Sequence, residues 1–216
     1  LVVSLLLSAC SSSGGGLDQP YEHIVRKGVT LCSFAWRYDK HQADLARWNR
    51  LGDCSLIYPG QRIRLTPASG SSQANTSRRS SQSKPLPDIP AQPPPAWAWP
   101  TSGKINVEFG GKPGSGTGVL IDGRAGQPIV AAASGRVVYA GGGLIGYGQL
   151  IILKHNDTYL SAYGYNAKLL VKEGQAVKKG QQIATMGEGP ERKPRLHFEI
   201  RRNGKPVNPR RYFPAR

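Results

Sequence analysis

The sequence predicts a multidomain chain: a small α+β module of βααβ order, then an all-β antiparallel domain, joined by a disordered linker. Three observations predict it. Apolar residues recur at helical spacing only between Thr30 and Asn49. From residue 101 onward the pattern becomes short alternating runs separated by Gly turns, the mark of strands. Between these regions, residues 67–100 hold eight of the 17 prolines and eight Ser or Thr, with almost no aliphatic side chains. Such a stretch cannot bury enough apolar surface to offset the entropy of folding.

The bulk numbers narrow the function classes. The chain has 216 residues, 29 Lys and Arg against 13 Asp and Glu, and a net charge of +16. Residues 101–216 carry eighteen bases and seven acids, or +11. Partners of negative charge are implied, either nucleic acid or an anionic polymer outside the cell. No apolar run reaches the 18 residues of a spanning helix. Three cysteines are too few for a disulfide-dense miniprotein.

The N-terminus decides between those partners. Leu1 to Ala9 is an apolar stretch ending in small residues and followed by Cys10. It has the character of the apolar core of a secretory signal and is too short to span a membrane. Leu7-Ser8-Ala9-Cys10 resembles the bacterial lipobox, which makes Cys10 the lipidated residue and residues 1–9 a truncated signal peptide. Residues 10–20, with the tract Ser11–Gly16, read as a tether; a buried strand with an incidental cysteine is the bland alternative. Two or three acyl chains anchor a domain stably, at about 0.8 kcal/mol per buried methylene. In the sorting rule that comes with the resemblance, Ser11 after the cysteine favours the outer membrane. Nucleic acid is then not expected as a partner.

Residues 21–66 form the first module. His23–Arg26 is a strand candidate. Leu31, Phe34, Ala35 and Tyr38 mark one face of a helix capped by Thr30. A second helix covers His41–Asn49 with Leu45 and Ala46 inward, and Gln61–Leu65 alternates as the closing strand. So small a core gains from a staple. Cys32 and Cys54 pair as a disulfide or remain two buried thiols.

The segments YEHIVRKGVTL, ADLARWNRL and LIYPGQRIRL resemble the LysM module over this whole stretch. The resemblance implies binding of the N-acetylglucosamine-containing glycan of peptidoglycan or chitin. The sugar groove would be formed by Gly28, Val29, Thr30 and Leu31 with Leu56, Ile57, Tyr58 and Pro59. Val29 stands where the family usually has Asp, so a helix-capping carboxylate is lost. Trp36 and Trp48 read as core.

Residues 67–98 are the linker, and if polyproline-like they reach on the order of 100 Å at roughly 3.1 Å per residue. Residues 99–216 are all strand and turn. Strands are expected at Lys104–Phe109, Gly118–Ile121, Gly135–Ala140, Gln149–Leu153, Thr158–Tyr163, Gln181–Met186 and Leu196–Arg201. Asn156-Asp157 and Asn203-Gly204 supply hairpin turns.

The run from Pro128 to Gly189, followed by RLHFEIRRNGKPVNPRRYF, resembles the LytM-type (lysostaphin-like) zinc metallopeptidase domain. Active members carry H-x-x-x-D, Y-x-H and H-x-H. In this sequence those registers fall on Gly116 to Leu120, Tyr163-Gly164-Tyr165 and Arg195-Leu196-His197. Of the motifs' His and Asp positions His197 alone keeps the family's residue, whereas a catalytic zinc takes three protein ligands and a water. Asp122, two residues past Leu120, shares its strand face and could approach. His155 sits at a hairpin turn and is expected at the surface. No metal, cofactor or catalytic residue is expected. Gly116, Leu120, Tyr165, Arg195 and His197 would instead form a cationic groove for a partner.

The whole layout resembles the NlpD-type division lipoproteins of Gram-negative bacteria. That resemblance implies a regulator on the periplasmic face of the outer membrane, enriched at the septum. It would bind peptidoglycan and activate a periplasmic N-acetylmuramoyl-L-alanine amidase. The alternatives are a zinc endopeptidase with unorthodox ligands and a purely structural tether between outer membrane and wall.

Overall fold

A computed structural model of the chain describes residues 22–25, 30–51, 57–67, 91–112 and 116–215. The first module holds strand β1 (Glu22–Ile24), helices α1 (Leu31–Arg37) and α2 (Gln42–Asn49), and strand β2 (Arg62–Arg64). The second domain holds β3 (Ile105–Val107), β4 (Val119–Asp122), β5 (Pro128–Val130), β6 (Gly135–Gly141) and β7 (Gln149–Lys154). It continues with β8 (Tyr159–Leu169), β9 (Ala176–Val177), β10 (Gln182–Met186), β11 (Arg195–Arg202) and β12 (Lys205–Val207). Single 3₁₀ turns lie at Pro190–Arg192 and Pro209–Arg211.

The first module has the expected βααβ order. β1 and β2 pair antiparallel with His23 opposite Ile63. Thr30 caps α1 through a reciprocal box: its Oγ1 accepts from the Ser33 N–H while the Ser33 hydroxyl accepts from the Thr30 N–H. A cap of this kind is worth roughly 1 kcal/mol. α2 ends where Arg50 turns left-handed at φ 55°. The core joins Val25, Leu31, Phe34, Ala35, Leu45, Ala46, Ile57, Ile63 and Leu65, with Trp48 half-buried against it. Trp36 is buried, but not in that core. With Cys32 it leaves the other side of α1 and packs on the second domain.

Cys32 Sγ lies 3.0 Å from Gln42 Oε1. Its expected partner Cys54 falls outside the described residues, as do Cys10, Gly28, Val29 and Leu56.

Most of the proposed linker also falls outside, but residues 91–98 do not. Their chain is fastened to the second domain. Gln92 N donates to Thr158 Oγ1 at 2.8 Å, Ala98 N donates to Ala132 O at 2.8 Å, and Trp97 enters the large core. Composition marks residues 67–98 as linker, while Trp97-Ala98-Trp99-Pro100 reads as the start of the next domain; the polyproline stretch before it has no period from which the Gln92 contact could be read.

The second domain is one antiparallel sheet in the order β3-β4-β11-β8-β7-β6-β9, with β10 joining β5 to β8 and β12 on β11. Every expected strand is present. β5, β9 and β12 were not expected, because two or three residues are too few to display alternation. The Asn203-Gly204 hairpin turn has both residues left-handed, at φ 50° and 76°, as a type I′ turn requires.

β7 explains how the two modules meet. Its Leu150, Ile151, Ile152 and Leu153 are all fully buried. Ile151 and Leu153 enter the main core, whereas Leu150 and Ile152 face Cys32 and Trp36 together with Val138, Leu144 and Leu160. A strand apolar on both faces must be covered on both faces. Here α1 supplies part of the second cover.

Candidate functional site

β11 runs between β4 and β8, with Arg195 opposite Asp122, and His197 opposite both Leu120 and Gly164. Its sequence RLHFEIRR alternates, so Leu196, Phe198 and Ile200 enter the main core. Arg195, His197, Glu199 and Arg201 then line up on the opposite face. All four are buried, which alternation alone does not foretell, since a polar face ordinarily meets water.

The ladder begins at the positions singled out by motif. Arg195 Nε donates to Asp122 Oδ1 at 2.8 Å, and its Nη2 donates to Asn106 Oδ1 at 3.1 Å. Its Nη1 lies 3.6 Å from Glu191 Oε2 and has no hydrogen-bond acceptor among the described residues. The expected cationic floor is therefore largely committed to an ion pair, with one donor left over.

His197 is sheltered by two aromatic rings at steep angles, Tyr147 at 5.2 Å and Tyr165 at 6.0 Å. Gly118 makes this approach possible, since a Cβ there would stand 3.0 Å from the His197 ring and 2.4 Å from Phe198 O. His197 Nε2 lies 3.2 Å from Glu199 Oε2. A carboxylate only accepts, so Nε2 carries a proton.

Glu199 is fully buried and divides its two oxygens. Oε2 takes His197, the Thr117 hydroxyl at 2.7 Å and the Tyr147 hydroxyl at 3.4 Å. Oε1 accepts from Arg201 Nε at 2.7 Å. Burial works against its charge, but the His197 hydrogen bond and the Arg201 cation outweigh that. Its pKa lies below the usual carboxylate range. The same burial, with the Glu199 charge, raises the Tyr147 hydroxyl. Burial and then Tyr147 raise Tyr165.

The remaining positions fall as follows. Gly116 is half-buried at φ 75°. Leu120 is buried and contributes hydrocarbon only. Tyr165 is half-buried and, unusually for an aromatic residue, left-handed at φ 62°. Thr117, Tyr147, Glu199 and Arg201 were not singled out from the sequence. The polar residues at every second place of RLHFEIRR were the available signal.

His155 corrects an expectation. It is half-buried rather than a surface residue, with Nδ1 2.8 Å from Ser134 O and Nε2 2.7 Å from Ser161 Oγ. Burial lowers its pKa to about 4. Its ring also meets Trp97 edge-on at 4.8 Å, so it fastens the start of the second domain.

In the first module, the described sugar-groove residues separate into three classes. Leu31 and Ile57 belong to the core. Tyr58 and Pro59 are exposed, Tyr58 at 68%. Thr30 is spent: beyond its capping bonds, its hydroxyl donates to Val138 O of the second domain at 3.1 Å.

Comparison with known proteins agrees with both halves. Residues 23–66 match the LysM domain and residues 114–209 match peptidase family M23. The chain is 39% identical to the lipoprotein NlpD/LppB homolog of Pseudomonas aeruginosa, over 100% of this chain and 90% of the relative. It is 60% identical to the murein hydrolase activator NlpD of Salmonella dublin, over 56% of this chain and 32% of the relative. It is 47% identical to outer membrane antigenic lipoprotein B of Haemophilus influenzae, over 68% of this chain and 37% of the relative. The match to these two relatives thus spans only about a third of their length. A βααβ LysM module docked on an M23-type sheet, with a 39% identical lipoprotein relative matched over the whole of this chain, places the chain in one family: it belongs to the NlpD/LppB lipoproteins.

Proposed function

We propose that this protein is a non-catalytic regulator of cell division. It binds peptidoglycan through its LysM module and activates a periplasmic N-acetylmuramoyl-L-alanine amidase for splitting of the septal wall. A lipid on Cys10 would hold it to the periplasmic face of the outer membrane, enriched at the septum. Gly116, Leu120, Tyr165, Arg195 and His197 would mark the partner's seat.

One observation carries the reading: the donor set on β11 and β4 does not suit a catalytic zinc. Such a site takes three protein ligands and leaves a fourth position to water. Here Gly116 has no side chain, Leu120 has no lone pair, and Arg195 is a cation clasping Asp122 at 2.8 Å. His197 has Nε2 committed to Glu199 and keeps at most Nδ1 as a lone-pair site. Among the described residues no three His, Cys, Asp or Glu side chains converge. The pairing of Arg195 with Asp122 neutralises both groups, so neither offers a free charge beside His197. Half-exposed Tyr165 and half-exposed Asp122 suit recognition of a polar protein segment. The name of the Salmonella relative points the same way.

The test is release of dye from labelled peptidoglycan by the purified chain, with and without a cognate periplasmic amidase. We expect none from the chain alone and stimulation when the amidase is present. Chelator-sensitive release by the chain alone would instead establish an endopeptidase. Failure to stimulate any periplasmic amidase would leave only a tether.

A further inference from the structure

Arg201 stands at the far end of the β11 ladder, and its surroundings belong to the other module. Its Nη1 donates to Trp36 O at 2.7 Å and forms an ion pair with Asp39 Oδ1 at 2.8 Å. Its guanidinium lies 3.9 Å above the Trp36 ring. Only 2% of the residue is exposed. Close by, the Gly204 turn meets the end of α1 so tightly that a Cβ would stand 2.6 Å from Lys40 O. A cavity of about 160 Å³ runs from Trp36, Arg37 and Asp39 of the LysM module to Thr117 and Tyr147 of the groove.

We propose that the Glu199–Arg201 pair couples the seat of the LysM module to the partner groove, so that docking of the module sets the position of His197. The inference deepens the reading of that groove as the partner's seat and rests on it. Glu199 gives one oxygen to the groove, through His197, Thr117 and Tyr147, and the other to the interface, through Arg201. With the module seated, Arg201 is dry, and its attraction for Glu199 is strong because the local dielectric is low. Departure of the module removes the Trp36 carbonyl, the Asp39 carboxylate and the Trp36 face together. Water then reaches the guanidinium, its hold on Glu199 weakens, and the carboxylate relaxes toward His197 and Thr117. Docked and undocked are two discrete arrangements of one element, which is what coupling between sites requires. Linkage makes it reciprocal: a partner that binds against His197 shifts the docking of the LysM module by the same factor.

Trp36→Lys tests this in the full chain, since it sets an ammonium against Arg201 and spares the module's own core, to which Trp36 does not belong. Solution X-ray scattering reports docking, and the His197 imidazole resonances report the groove. We expect a larger radius of gyration and displaced His197 resonances in the same variant. An unchanged radius overturns the docking contact, and an increased radius with unmoved His197 resonances overturns the coupling. Should Trp36→Lys melt the module by circular dichroism, Arg201→Gln applies the same two readouts from the opposite partner. Neither measurement involves an amidase, so a negative result here leaves the dye-release test of the activator reading untouched.

Discussion

The two ends of β11 carry the same residue in the same state of burial and use it differently. Arg195 and Arg201 are 3% and 2% exposed and lie on one face of the strand. Arg195 is met by an aspartate whose side chain is 43% exposed, and one of its nitrogens has no acceptor among the described residues. Arg201 is sealed by a fully buried glutamate, a backbone carbonyl and an indole face. The contrast teaches that residue type and burial do not fix an arginine's role. What covers it does: one end is held by a half-exposed aspartate at the rim of the groove, while the other is closed by the LysM module of the same chain.

The largest effect expected from that contrast is on stability. Arg201→Ala strands Glu199 without its cation and should cost roughly 3–5 kcal/mol. Arg195→Ala leaves Asp122 within reach of water and should cost about 1 kcal/mol, while abolishing amidase stimulation. Urea unfolding of both variants checks this, and equal losses would break the comparison.

Acid should then separate half-buried His155 from fully buried Glu199. His155 titrates near 4 when folded, against about 6.5 unfolded, so its contribution is complete above pH 6.5. It should fade by on the order of 3 kcal/mol as pH falls to 4. Glu199 is also depressed. Its contribution is complete above the ordinary carboxylate value of about 4.3 and is lost only as pH falls below that, through its folded value. Melting curves across pH should show both phases. His155→Asn should remove the first and Glu199→Gln the second.

The smallest effect should come from Asp39→Asn. Its carboxylate pairs with Arg201 but its side chain is 59% exposed, so screening leaves less than about 1 kcal/mol. A loss as large as that of Arg201→Ala would mean that the ionic contact, rather than the Trp36 carbonyl and ring, holds the module.

Much of this was legible beforehand. The Thr30 cap, the helix faces and seven strands followed from local spacing, and the motif registers led to Arg195 and His197. Other features were not legible. Trp36 reads as core although it lies off the face of Leu31, Phe34, Ala35 and Tyr38, and no period says that this second face meets the other module. Likewise, the polar face of RLHFEIRR reads as solvent-facing, because a pattern records alternation and not what lies opposite. The apolar run in β7 carried a hint, since both of its faces demanded cover.

The sequence by itself determined the elements, the order of the modules and the residues at the altered peptidase positions, because caps, turns and periodicity act over a few neighbours. Only the tertiary structure decided that Arg195 is spent on Asp122, that Glu199 bridges groove and interface, and that Arg201 reaches the LysM module 165 residues back along the chain at Trp36. Those contacts depend on burial shared between distant segments. A buried charge is kept only where folding brings it a partner.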